Sequence, residues 1–196
     1  MNTRPAGNPE TGRSRIRLPR PDYGPGRATG GVEQFITMLE RVHGTWTRLD
    51  RMAQVPGAVR DCLRAVGNHR RIVAAPDPVM ESLDWAHLEI EHRPAVKEDE
   101  VSVTLAFAGI AEMGTVVMVS SSRSPVTLNF LPEMNIVVLR ETLLVSTMED
   151  FWPRVASQPR AINFITGPSK TADIEQTIVY GAHGPRRFHV LIIRDS

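Results

Sequence analysis

A single cysteine, Cys62, serves the whole 196-residue chain. No disulfide can close within it, and an iron–sulfur cluster, which takes several thiolates, cannot be held by this chain alone. In PGAVRDCLRAVG the spacing puts Cys62 on one helix face with Val59, Leu63 and Val66, where a thiol acts as a small core side chain rather than a nucleophile. Long apolar runs are missing too. None approaches the ~20 residues that cross a bilayer, and no apolar stretch follows the basic N-terminus, so neither insertion nor export is expected and the cytoplasm is the expected compartment. Aromatic residues are only 6% of the chain and do not interleave with basic ones, so nucleic acid is not an expected partner. The glycine patterns of nucleotide sites, GxxxxGK followed by Ser or Thr and GxGxxG, are absent. So is HExxH. His87 and His92 stand five apart and off a common helix face, with Glu89 and Glu91 between them, and no metal site is expected.

What remains suits one globular core. The apolar fraction of 41% is ordinary, and no second core-sized block is present. The net charge of +1 hides an asymmetry: residues 1–30 carry six arginines against Glu10 and Asp22, leaving 17 basic and 20 acidic side chains for the rest. That basic, Pro/Gly-rich tail has no hydrophobic period and is expected to be disordered, with one domain over 31–196.

From Gly31 onward the pattern becomes periodic. Val32, Phe35, Met38, Leu39 and Val42 predict a helix ended by Gly44, and a second helix starts near Pro56 and stops at Gly67. TWTRLD (45–50) predicts an edge strand and RRIVAAPD (70–77) another strand, whereas 78–99 has no clear pattern. Residues 101–121 predict an extended run, a turn or short helix, and a second strand at GTVVMVSS. The continuous apolar runs NIVVLR (135–140) and FHVLII (188–193) predict inner strands covered on both faces. Between them lie a helix at 149–152, a strand at AINFITG (161–167) and a short helix at ADIEQTIV (172–179). Strands and helices alternate, which predicts a three-layer α/β/α fold with a mostly parallel sheet. Ligands of such folds gather at the carboxyl ends of strands. The loops 108–115, 125–134, 167–172 and 181–187 have the composition for it.

Several residues in those loops carry chemistry, each with a plainer reading beside it. After Gly167, Ser169 or Thr171 can cap the following helix; the same free N–H groups, with Lys170 nearby, can hold a phosphate or carboxylate. Asp173, in that helix's first turn, either complements the dipole or acts as an active-site carboxylate, and its spacing to Glu175 makes no glycosidase-like pair. Glu112 is the one charge between Val101 and Val119, so it serves a pocket or catalysis, forms buried structural hydrogen bonds, or faces solvent. Gly109 and Gly114 permit a tight turn beside it, and Thr115 can contact it. His183, in YGAHGPRR, either satisfies loop backbone groups or works as an acid or base, and Arg186 and Arg187 can meet an acidic partner. His189 alternates within the last strand as a packed or partner-facing residue.

AGIAEMGTVV (108–117), LNFLPEMNIVVL (128–139) and above all ITGPSKTADIEQTIVYGAHGPRRFHVLII (165–193) resemble the LUD domain of the lactate-utilisation C subunit, the LutC/YkgG family, over residues 31–195. The resemblance implies a NagB/RpiA/CoA-transferase-like fold. It also implies a place in a multi-component system that oxidises L-lactate to pyruvate, where partner subunits carry the iron–sulfur clusters and this chain has no intrinsic cofactor. Its signature residues map onto Glu112, Gly114 and Thr115, then Gly167, Pro168, Ser169, Thr171, Ala172, Asp173 and Glu175, then Gly181, His183, Gly184 and Pro185. Two positions depart from the family pattern: Met113, where AETGT is usual, and Asn135, where a histidine is usual. Met113 lacks a hydroxyl, and Asn135 can hydrogen-bond but cannot serve as a base near neutral pH. The expected function is therefore an accessory or regulatory subunit binding a small carboxylate or phosphate through Gly114, Thr115, Gly167, Ser169, Lys170, Thr171 and Arg186. Glu112, Asp173 and His183 are its catalytic candidates. The alternatives are a stand-alone isomerase- or transferase-like enzyme acting on a phosphorylated or CoA-linked substrate, and a noncatalytic interaction protein.

Overall fold

The structure, a computed structural model, describes residues 31–67, 72–85, 88–155, 159–171, 179–180 and 184–194. In chain order the elements are α1 (Val32–Arg41), β1 (Thr45–Leu49), α2 (Val55–Ala65), β2 (Ile72–Ala74), α3 (Pro78–Glu81), β3 (Ile90–His92), β4 (Val101–Leu105) and β5 (Ala108–Ile110). There follow β6 (Thr115–Val119), α4 (Thr127–Phe130), β7 (Met134–Arg140), β8 (Leu144–Val145), α5 (Met148–Phe151), β9 (Ile162–Ile165), β10 (Lys170–Thr171), β11 (Val179–Tyr180) and β12 (Arg187–Ile193).

Six strands form a parallel sheet in the order β1-β12-β7-β4-β2-β3. The predicted inner strands, β7 and β12, lie near its centre, and β1 is its edge. Their uninterrupted apolar runs have a direct cause, because alternate residues feed two different cores. Ile136, Val138, Leu191 and Ile193 pack with Val55, Val59 and Leu63 of α2 on one face. Val137, Leu139, Val190 and Ile192 pack with Phe35, Ile36 and Leu39 of α1 on the other. The α/β class with a mostly parallel sheet is thus as the alternating pattern predicts.

The outer layer on the α1 face differs from a row of helices. There a second, four-stranded sheet, β8-β5-β6-β9, lies beside α1. Its strand β6 sends Val116 and Met118 inward onto the main sheet, while Val117 joins Ala108, Ile110 and Phe151 in a third small core under α5. GTVVMVSS and AINFITG are therefore strands, but of this mixed sheet. The Ala111–Gly114 turn folds β6 back antiparallel to β5, and a two-strand return of this kind leaves no room for a crossover helix. The unpatterned 78–99 stretch holds α3, β3 and a bidentate Arg93–Asp99 pair (2.7 and 2.8 Å) that pins the loop before β4.

At the end of α1 it is His43, not Gly44, that takes the left-handed conformation (φ 65), and the Gly44 N–H donates to the Leu39 carbonyl. Of the predicted 172–179 helix, residues 172–178 lie outside the described residues. Val179 belongs to β11, paired antiparallel with Thr171. A strand pairing there replaces the expected helical end.

Two glycines near the end of α1 take left-handed backbone angles, Gly114 (φ 63) and Gly167 (φ 78). A Cβ on Gly114 would strike the backbone of α1 itself, lying 2.6 Å from the Met38 carbonyl carbon, and that backbone cannot give way. Gly114→Ala should therefore destabilise the fold by about 3 kcal/mol, combining a left-handed penalty with overpacking. Equilibrium urea unfolding checks this, and a loss below about 1 kcal/mol would mean that the turn does not rest on the helix.

Candidate functional site

Three of the four loops singled out by composition converge, but at the amino edge of the parallel sheet rather than its carboxyl edge. Residues 131–133 lead directly into β7, and 184–186 lead directly into β12. The Arg187 N–H donates to the Glu133 carbonyl (3.1 Å), joining the two strand starts. The Ser169 N–H donates to the Pro185 carbonyl (2.9 Å), which brings the 167–170 segment alongside. Gly184 packs on Ser169 and reaches Phe130, since a Cβ there would lie 3.3 Å from Ser169 Cβ. Gly167 rests on Val42, just before β1. The fourth loop joins through a hydroxyl pair, Thr115 Oγ1 and Thr166 Oγ1, 2.5 Å apart. The expectation that these loops gather at the carboxyl edge is thereby corrected. The chain leaves the carboxyl ends of β4 and β7 straight into the second sheet, and that edge is occupied by structure.

Cations collect on this band. Lys170, Arg186 and Arg187 are all exposed, and Arg186 Nη1 lies a loose 3.9 Å from Glu133 Oε1. Beside them a hollow of about 450 Å³ is lined by Glu40, His43, Gly44, Thr45 and Trp46. Two further clefts are present. One of about 640 Å³ runs along α2 past Cys62, where burial pushes the thiol up to about 11 and so disfavours the thiolate. The other, about 630 Å³, is walled by Ser120, Ser121, Ser122 and Arg160.

Under the band lies a buried polar group that sequence reading only partly anticipates. Asn135 is fully buried; its Nδ2 donates to the Leu128 carbonyl (3.0 Å), and its Oδ1 accepts from Thr104 Oγ1 (3.3 Å). Ser102 Oγ donates to the same Leu128 carbonyl (2.6 Å), so α4 is tied to two strands through one acceptor. Asn129 is buried as well, and among the described residues its Oδ1 has no hydrogen-bond partner. Polar Ser102 and Thr104 alternate with valines in VSVTL, a signal available in the sequence. Asn129 gives none.

Glu112 is half-buried, and its Oε1 accepts from the Met148 N–H (2.9 Å), the first N–H of α5. That carboxylate pins the β5–β6 turn to the helix. Met113, beside it, is exposed. Thr115 and Gly114 meet the band from the second sheet, and Gly167, Ser169, Lys170 and Arg186 lie within it. Thr171 is placed only by its backbone in β10. Asp173 and His183 lie outside the described residues, as does His87. Among the described residues no three His, Cys, Asp or Glu side chains gather as metal ligands, and no helix is long and apolar enough to cross a membrane.

A family model described as the LUD domain matches residues 32–193. The chain belongs to the LUD-domain family. A "Lactate utilization protein C" of Deinococcus radiodurans is 30% identical over 156 residues, covering 72% of this chain and 69% of that protein. Proteins of the same name match from Exiguobacterium (30% identical, 65% of this chain and 60% of that one) and Geobacillus thermodenitrificans (36% identical, 50% and 44%). The chain spans about half the length of the curated relatives it matches. A crystal structure of a DUF162 family protein from Deinococcus radiodurans superposes with a TM-score of 0.62 at 22% identity, over 86% of this chain and 99% of that one, a likeness of fold. In this LUD domain Gly114 and Gly167 set the loop band.

His189 of the LUD domain sits at the start of β12 behind this band, 8% exposed, with Nδ1 2.8 Å from Thr45 Oγ1. Burial lowers its pKa to about 4. The unfolded chain takes up a proton below about pH 6.5 while the folded state stays neutral, so stability is complete above that pH and is lost as pH falls toward 4. The loss is on the order of 2–3 kcal/mol. Melting temperature measured from pH 7 to 4.5 should fall less steeply in His189→Gln, and parallel profiles would contradict the assignment.

Proposed function

We propose that this LUD-domain protein acts in the utilisation of L-lactate as a component that binds a small carboxylate or phosphate and itself carries no electrons. Iron–sulfur subunits bound to it would take the electrons released when lactate is oxidised to pyruvate. What supports the lactate reading is the relative from Deinococcus radiodurans, named for lactate utilisation and matched over most of both chains. The lone Cys62 supports the division of labour, since one thiol cannot supply the usual ligands of a cluster.

The proposed binding surface is the amino-edge band. Lys170, Arg186 and Arg187 give it positive charge, and Ser169 and the backbone about Gly167 give it polar groups at the same place. Asp173 and His183, close in sequence to its loops, are proposed as the acid–base groups. For Glu112 the proposal is a positioning role, because its carboxylate already holds the α5 N–H.

A strain lacking the gene tests the reading directly. It should fail to grow on L-lactate as sole carbon source, grow normally on pyruvate, and recover when the intact gene is returned. Unimpaired growth on L-lactate would overturn the assignment.

A further inference from the structure

The outer face of the second sheet carries an aromatic cluster that the proposed function does not use. Phe151 is fully buried at its centre, and around it stand Phe107, Trp152 and Phe164, which are 39%, 51% and 36% exposed. The rings are in edge or tilted contact, with centroids 5.3 to 6.1 Å apart. A bulge helps build the patch. Val117 is opposed by Ala108 and also receives the Phe107 N–H on its carbonyl, so Phe107 is turned onto the same face as Ala108. Exposed rings of this size leave on the order of 250 Å² of aromatic surface to water.

The patch runs to an open strand edge. β9 is the last strand of its sheet, with sequence INFI and no charge. The Ser120 N–H donates to the Ala161 carbonyl, so residues 161, 163 and 165 are the ones that bond to β6. By the two-residue period, the N–H and C=O groups of Ile162 and Phe164 point away from the sheet. Among the described residues no strand pairs with them. Natural edges are often blunted by lysine or proline; β9, though only four residues long, carries neither, and an apolar edge without charge is a pairing surface.

We propose that β9 pairs antiparallel with β9 of a second copy, making one continuous eight-stranded sheet across a two-fold axis at Asn163. The register follows from the edge itself. Outward groups must meet outward groups, so Ile162 of one copy opposes Phe164 of the other, and the reverse, which is the aromatic–β-branched pair favoured across strands. The two aromatic patches then form one apolar strip over the axis. Together they supply about 500 Å² of ring surface, the centre that an interface of about 800 Å² per partner is built around. Charges beside the patch have both signs, Asp150 against Arg154 and Arg160, as suits a surface that faces its own copy.

Sedimentation of the full chain from about 1 to 100 µM tests this, with the expected result a doubled mass. Phe164→Lys and Ile162→Pro should each halve it while leaving far-UV circular dichroism unchanged; the proline removes only an outward N–H. Thr47→Lys, on the edge of the main sheet, should leave the doubled mass intact. Hydrogen exchange on the unmodified chain gives an independent reading, with the Ile162 and Phe164 amides becoming protected as concentration rises. A monomer throughout this range, a dimer that survives both β9 substitutions, or exchange at 162 and 164 that ignores concentration would overturn the proposal.

Discussion

The arrangement depends on the close approach of two backbone segments to the last turn of α1. Gly114 lies against the Met38–Leu39 backbone, and Gly167 lies against Val42. Both contacts need a residue without a Cβ and with positive φ. The first sets how the second sheet meets the main one, because β6 begins one residue later. The second brings the 167–170 segment down to the strand starts. With bulkier residues at either place the loops would stand away from the sheet, and the band of Ser169, Lys170 and Arg186 would not form.

A fully covered parallel sheet makes that band possible. β7 and β12 are buried on both faces, so their ends are fixed and the loops entering them inherit fixed positions. The polar group beneath, Ser102, Thr104 and Asn135, turns the Leu128 carbonyl into a shared acceptor and holds α4 in place. Buried polar groups that satisfy one another in this way tie elements to one geometry. Asn135 is here a structural tie.

Much of this was legible in the chain before folding. The runs NIVVLR and FHVLII announce inner strands because both of their faces are apolar. The α1 spacing is correct to within one residue, and glycines, hydroxyls and charges mark the loops. What escaped was placement. Strand order is a long-range property, so nothing in GTVVMVSS distinguishes a strand of the parallel sheet from one turned back in a hairpin. The same limit applies to the loops, because which edge of the sheet they join depends on where the connections go. Glu112 shows the limit at a single residue. An isolated charge in an apolar stretch signals a constrained carboxylate, but only the fold reveals that its partner is the Met148 N–H, 36 residues away.

Hydrogen exchange of the full chain with and without saturating L-lactate or pyruvate tests the central claim, that the working surface is the amino-edge band. Protection confined to residues 112–115, 166–170 and 184–187 is the predicted result. Protection at the carboxyl edge, around 50–54, 75–77 and 106–107, or no change anywhere, would contradict it.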